Sequence, residues 1–503
     1  MNNFKYLFLF SFLLSNGTYD ISSQNTGQLW ELRLNNEFSN PKNKRSVEYH
    51  LDEKKLISTL TRSPLINKKE RSDILMDFPS PEGQFISFEM YESPVMPQHL
   101  SERYPMIKTY TGRGLNNPND RVSVTIKNNE IKGLILCRYG RIFIEPIPNK
   151  EGIYRVSYSE NQLDPFKKKN DCSGFDCDCM IIRTESENKQ SRDRDFPYCV
   201  GEPEPCYTIG DTLVTFRYAA ILTAEANNSV ADGTVEGGLA WIAAMANQVN
   251  LVWIRELSFK LELIENNDML IYTDANPTPE LFTAHDMYTE LPRVLIHLTE
   301  VIGPGGFGVP QDNLLWEYGA VFNTGYGGGL AYVPGSTSAN LPSYAVHIHE
   351  IGHNLGSGHN CTSENGWRSS FGGTAMCNRG NTLPGSYGDQ YSSHTIDIAI
   401  RYQQDMFSYN NYDYQRGWIR EPSGNIIPGV MVPESGFFIP KETPFILEGS
   451  AIDSDEDDLL TYSWEQNDAS DISFSPPDFP PETGPLFCSI DASEEGKKRY
   501  FPY

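Results

Sequence analysis

The stretch Val346-His-Ile-His-Glu-Ile-Gly-His-Asn-Leu-Gly-Ser-Gly-His359 governs the reading of this chain. If residues 343–355 form a helix, His349 and His353 stand one turn apart on one face, where their imidazoles can converge on one metal ion. Glu350 is offset from His349 by about 100°. That puts its carboxylate beside such a metal, able to take a proton from metal-bound water. Gly356 can adopt a left-handed conformation that ends the helix and turns the chain sharply. The turn brings His359 back as a third ligand. Three neutral imidazoles leave one tetrahedral position open, the mark of a catalytic zinc rather than a structural one. Four of the nine histidines lie between His347 and His359. The five fixed positions coincide by chance in on the order of one chain in 10^5, so a surface helix merely rich in histidine is set aside. His347 points elsewhere on the helix and reads as structural.

The reaction expected of these residues is peptide-bond hydrolysis without a covalent acyl-enzyme. Zinc lowers the pKa of its bound water from ~16 toward ~7. Glu350 accepts the proton as water attacks a polarised carbonyl and passes it to the leaving amine. His349, Glu350, His353, Gly356 and His359 together resemble the metzincin signature H-E-x-x-H-x-x-G-x-x-H. The resemblance implies a methionine-containing turn beneath the zinc. Gly373-Thr-Ala-Met376 is similar to it, with Met376 packing under the ligands. Within metzincins the layout of residues 207–402 is similar to reprolysin-like (adamalysin-related) enzymes, particularly the secreted bacterial branch. It extends into a propeptide through Ser93-Pro-Val, Ile107-Lys-Thr-Tyr110 and Gly140-Arg-Ile-Phe-Ile-Glu145. Departures from the pattern are Asn360, where adamalysins usually carry Asp, and the lack of a cysteine-switch motif.

The resemblance also implies that substrate lies extended along an edge strand as an added β-strand. Gly328, Gly329, Leu330 and Ala331 are similar to that strand, their glycines permitting close backbone approach. A plain core strand is the other reading. Cys361 and Cys377 flank the methionine turn and are the first choice for a disulfide.

Working outward, Lys5 precedes an apolar run from Tyr6 to Leu14, too short to cross a bilayer and laid out as a secretory signal peptide. Cleavage after Gly17 or after Ser23 would release it, and residues 1–23 are assigned to the leader. Acidic residues outnumber Lys and Arg by 66 to 41, for a formal charge of −25. A field of that sign excludes nucleic acid and anionic lipid as natural partners. No later segment is apolar enough for stable membrane insertion. Nine cysteines, five of them between Cys172 and Cys206, suit an oxidising compartment. Export and extracellular localisation are therefore expected.

Alternating runs at 122–126, 133–136, 141–145 and 154–158, punctuated by Asn128-Asn129 and Pro148-Asn149, read as a mostly β module beginning near Phe85. About 55 polar residues precede it. A hydrophilic connector follows to Cys206, with basic sites at Lys167-Lys-Lys169 and Arg192-Asp-Arg194 open to proteolytic nicking. From Tyr207, strands at 212–218, 259–264, 269–272 and 325–333 alternate with helices at 238–253, 291–301 and 394–406, an α/β layer arrangement. Beyond about Gly424 the pattern turns all-β, with strands at 445–450 and 459–464 joined by an acidic turn. That turn resembles the calcium-binding turns of bacterial immunoglobulin-like domains. Asp453, Asp455, Asp457 and Asp458 offer oxygen donors suited to Ca²⁺; a solvated turn explains them equally.

The architecture expected is multidomain. A signal peptide (1–23) precedes a mostly β propeptide with a Cys-rich connector (24–205). An α/β metzincin domain with a twisted mixed sheet and an active-site helix (206–424) follows, then an immunoglobulin-like β-sandwich, apparently incomplete (425–503). The expected function is a secreted zinc endopeptidase acting on proteins or peptides, made as a proenzyme with its own propeptide as inhibitor or chaperone. The rival is a catalytically silent metzincin-fold adhesin or protein-binding module. The intact Glu350 argues against it, because a binding scaffold has no need of that carboxylate.

Overall fold

The computed structural model describes residues 29–33, 46–66, 71–158, 209–222 and 224–273, and shorter stretches between 295 and 501. The expected leader at 1–23, the cysteines from Cys172 to Cys206, Cys361, Cys377 and Cys488 lie outside the described residues.

The N-terminal module is one nine-stranded sheet. Its strands are β1 (Trp30–Arg33), β2 (Ser46–Leu51), β3 (Leu75–Pro79), β4 (Phe85–Glu92), β5 (Ile107–Gly114), β6 (Arg121–Lys127), β7 (Glu130–Cys137), β8 (Gly140–Pro146) and β9 (Ile153–Tyr158). The order is β1-β2-β9-β8-β7-β6-β5-β4-β3, every neighbour antiparallel. Short turns set the register: Lys127 pairs with Glu130, leaving Asn128 and Asn129 as a two-residue loop. Asn128 takes a φ of 55°, a left-handed conformation that asparagine tolerates.

This module begins earlier than the sequence suggested. Residues 46–84 are not a polar lead-in, because they supply β2, β3 and the helix α1 (Glu53–Leu60), capped by Asp52 through a 3.0 Å bond from the Lys55 amide. β1 is only four residues long. Its Trp30 ring lies 5.9 Å from Tyr154 and 6.2 Å from Tyr49, anchoring the strand by one side chain rather than by periodicity.

The second sheet is mixed, and β10 (Thr212–Leu222) is its spine. It runs parallel to β11 (Phe259–Leu263) and to β12 (Leu295–Ile302); β13 (Leu314–Val321) and β14 (Gly329–Pro334) follow antiparallel. A short α2 (Gln98–Arg103) belongs to the first module; α3 (Ala224–Val230) and α4 (Val235–Leu257) make the crossover from β10 to β11 that parallel pairing demands. β15 (Trp367–Ser369) lies off this sheet, while β16 (Trp418–Pro422) pairs antiparallel with the first half of β10.

Two expectations are corrected in this sheet. Residues 295–302 form a strand, not part of a helix, since their backbone is paired by β10 on one side and β13 on the other. Residues 267–270 form a 3₁₀ turn in place of a strand. The Asn267 side chain takes the strand's role, its Oδ1 accepting from the Ala220 amide at 2.8 Å and its Nδ2 donating to the Ala220 carbonyl at 3.0 Å.

The C-terminal stretch pairs β17 (Gly429–Met431) with β19 (Ser450–Ile452), β18 (Phe445–Glu448) with β21 (Lys498–Phe501), and β20 (Asn467–Ala469) with β15. Among the described residues these are two-stranded pairings and do not compose a sandwich. Residues 459–464 are not a strand; they hold one bridge, Tyr462 to Ser493, and the Leu459 carbonyl accepts from Asn119 of the first module. Among the described residues no helix is long and apolar enough to cross a membrane.

α4 joins the two sheets. It is capped by the Thr234 hydroxyl and is buried nearly all round, as expected of a helix without a polar face. Asn247, fully buried at its centre, is satisfied by the first module: Nδ2 donates to the carbonyls of Tyr110 and Val124, and Oδ1 accepts from Ser93. Asn250 instead exchanges two bonds with Leu261 of β11, at 2.7 and 3.0 Å.

Candidate metal centre

The predicted ligands His349, His353 and His359, together with Glu350 and Gly356, lie outside the described residues. Several residues interleaved with them are described. His347, Ile348, Ile351 and Gly352 are helical, and His347, Ile348, Ile351 and Leu355 are buried. The Leu355 amide donates to the Ile351 carbonyl at 3.2 Å, a helical bond, and the Ser357 amide reaches back five residues to Gly352 at 3.3 Å. That long bond is the one a Schellman stop makes. Counting along the chain puts the motif's C′ position at 356, where the sequence has glycine.

His347 is a structural residue. It is fully buried, its Nε2 lies 2.7 Å from the Tyr218 hydroxyl, and the rings of Tyr218 and Trp241 stand edge-on to it. It thus ties the helix to the spine strand β10 and to α4.

Met376 is fully buried, as are Thr374 and Ala375. It packs directly on the helix at Gly352. A Cβ added there would overlap the Met376 sulfur and come within 3.2 Å of its methyl and 3.4 Å of the Tyr391 ring. Glycine at this position is therefore a close-approach requirement, set by the methionine beneath.

The segment from Asp389 to Tyr391 clamps this arrangement. The Gln390 carbonyl accepts from the Ala375 amide at 2.8 Å. The buried Tyr391 hydroxyl donates to the Ile348 carbonyl at 2.9 Å and accepts from the Trp253 indole of α4 at 2.8 Å. Burial pushes that hydroxyl far above the ordinary phenol range, keeping it a neutral donor. The Arg141 guanidinium of β8, itself buried, donates twice from Nε to the Asp389 carboxylate, at 2.8 and 2.9 Å. Arg255 of α4 donates to the Asp389 carbonyl. Residues 395–400 continue as a helix, and Thr395 bonds Ser357 just past the helix stop. The pairing of Arg141 with the Asp389–Tyr391 segment was not legible in the sequence, since no motif marks a partner 248 residues away.

The proposed substrate strand falls partly within view. β14 pairs with β13 through Gly329, Leu330 and Ala331 and ends the strand order of its sheet; Gly328 lies outside the described residues. At the acidic turn, Asp453 accepts from the Asp455 amide, Asp455 accepts from the Ile426 amide, and Asp458 pairs with Arg113 at 2.7 Å. These carboxylates serve the turn and its contact with the first module; Asp457 lies outside the described residues. Among the described residues no group of three or more His, Cys, Asp or Glu gathers as a metal site.

Residues 215–417 match the reprolysin-like metallopeptidase family M12B, and this span contains the helix, its stop and the methionine turn. The segment is a reprolysin-like metzincin domain. A comparison with curated proteins finds no match to the chain.

Proposed function

We propose that the chain is a secreted zinc-dependent endopeptidase, made as a proenzyme, with His349, His353 and His359 as metal ligands and Glu350 as general base. The reading is supported by one observation: the family match spans the ligand motif read from the sequence, and within it Gly352 is seated on Met376. At 100° per residue the buried positions 347, 348, 351, 352 and 355 share one arc.

Three imidazoles and no thiolate form a donor set that fits zinc with one position open. Bound zinc supplies Lewis acidity, making a coordinated water acidic near neutral pH and polarising a carbonyl. Glu350 takes the water proton and returns it to the leaving amine. Tyr391 fixes the Ile348 carbonyl, and Met376 fills the space under Gly352, so the ligand-bearing turn cannot settle inward. A peptide substrate would add as a strand along β14, whose outer edge has no partner among the described residues.

The test is hydrolysis of denatured casein by processed protein, with and without a zinc chelator, beside Glu350→Ala. Activity should vanish in both the chelated and the substituted samples and return on adding zinc to the former. Chelator-insensitive cleavage, or full activity in Glu350→Ala, would overturn the assignment in favour of a different hydrolase or a binding protein.

A further inference from the structure

We infer that the N-terminal module, residues 29–158, remains seated on the catalytic segment after the connector is cut, as a permanent non-covalent subunit rather than a dissociating propeptide. Only the notion of a processed enzyme rests on the peptidase reading; the retention itself does not.

Among the described residues, most of the buried apolar side chains fall into two clusters. One belongs wholly to the first module and includes Trp30, Tyr49, Phe78 and Tyr154. The other is shared: Val95, Met96, Leu100, Ile107, Leu134 and Leu136 of the first module pack in one continuous core with α4, β10, β11 and the helix at Ile348 and Ile351. Alternation along β7 shows how one sheet serves both, because Ile131 and Ile135 face the private core while Leu134 and Leu136 face the shared one.

Removal of the module would therefore strip cover from the buried, mostly apolar α4, not from a polar rim. Asn247 would lose each of its bonds to Ser93, Tyr110 and Val124, and the Leu263 amide would lose the Val95 carbonyl at 2.7 Å. Exposure of a contiguous apolar helix face is what obligate partners avoid. The periphery is charged and specific: Arg103 and Tyr104 bond Asp268, Lys127 pairs with Asp232, and Asn128 bonds Glu236. Arg141 extends the same interface to Asp389, the segment that clamps the methionine turn.

The test uses the full chain carrying Glu350→Gln, with a specific protease site replacing Lys167-Lys-Lys169. The cut protein is passed over size exclusion at low and at high salt. Expected is a single complex of both fragments at either salt, melting in one transition close to that of the uncut chain, because an apolar core is not screened by ions. Separation of the fragments overturns the inference, whether the C-terminal fragment then stays soluble or precipitates. So does separation confined to high salt, which would leave only the charged periphery holding them. Asn247→Asp, which sets a carboxylate against two carbonyls, should raise fragment dissociation by about tenfold or more. Unchanged dissociation in that variant counts against the inference. Since the protein tested lacks the general base, the outcome is independent of whether the uncut or cut chain hydrolyses peptides.

Discussion

The two sheets of this molecule solve the same burial problem in opposite ways. The nine-stranded sheet is built from chain neighbours from β3 to β9 and owns a private core. The mixed sheet is centred on β10, which pairs with strands distant in the chain, and its main cluster among the described residues is shared with the other module. The contrast teaches that the burden of burial is divided unequally: the half that carries the family match leans on the half that does not.

The largest effect should come from striking the private core. Trp30→Ala removes a fully buried indole and should cost about 3–5 kcal/mol. If the shared core couples the halves, calorimetry will show both melting together at lower temperature; a lone early transition of the first module would break the comparison. Next is Arg141→Ala, which removes the buried guanidinium whose Nε–H is shared between both Asp389 carboxylate oxygens and should cost on the order of 3 kcal/mol. Casein hydrolysis should fall more steeply than thermal stability, because Asp389 adjoins the methionine-turn clamp; a parallel loss of both would reduce Arg141 to a plain interface residue.

Gly352→Ala probes the half that carries the family match. Its methyl would press on Met376 and should cost about 1–3 kcal/mol by overpacking. Zinc content measured after dialysis should drop, while the first module's secondary structure, read by circular dichroism, stays intact. Tyr391→Phe strands the Trp253 indole and the Ile348 carbonyl, for about 1–2 kcal/mol, and a denaturant titration will show whether the midpoint moves accordingly.

The smallest effect is acid sensitivity at the junction. Burial alone would raise the Asp232 carboxyl, but Lys127 and the Thr234 hydroxyl and amide outweigh it and bring the pKa from 3.8 to about 2. A depressed carboxylate pKa contributes stability above pH 3.8 that is lost as pH falls through 2. The half-exposed Asp232 makes this contribution small. Lys127→Met should flatten that acid limb in a pH series of melting temperatures, and an unchanged limb would exclude the pair as its source.

Legibility in the sequence followed the range of the interactions. The strands at 122–126, 133–136, 141–145 and 154–158 showed plainly because alternation is local, and α4 showed because its apolar run has helical length. β1 and β2 did not, since four residues around Trp30 carry no period. Residues 295–302 satisfy helical and strand spacing alike, and only pairing on both flanks decides between them. Around the candidate metal centre, the expected ligands fall outside the described residues, while Met376 could be named from the chain itself. The reason Gly352 must be glycine could not, because Met376 lies far along the chain and only folding sets its sulfur against the helix. The 389–391 clamp was hidden for the same reason.

The position of α4 also orders events in time. The chain is made from its N-terminus, and domains generally fold as they emerge. The sheet of residues 30–158 precedes α4, so its receiving surface exists before the greasy helix is synthesised. A circular permutant placing the sheet last would have to make the helix with nowhere to put it, and its yield of soluble protein should suffer even though every final contact were available.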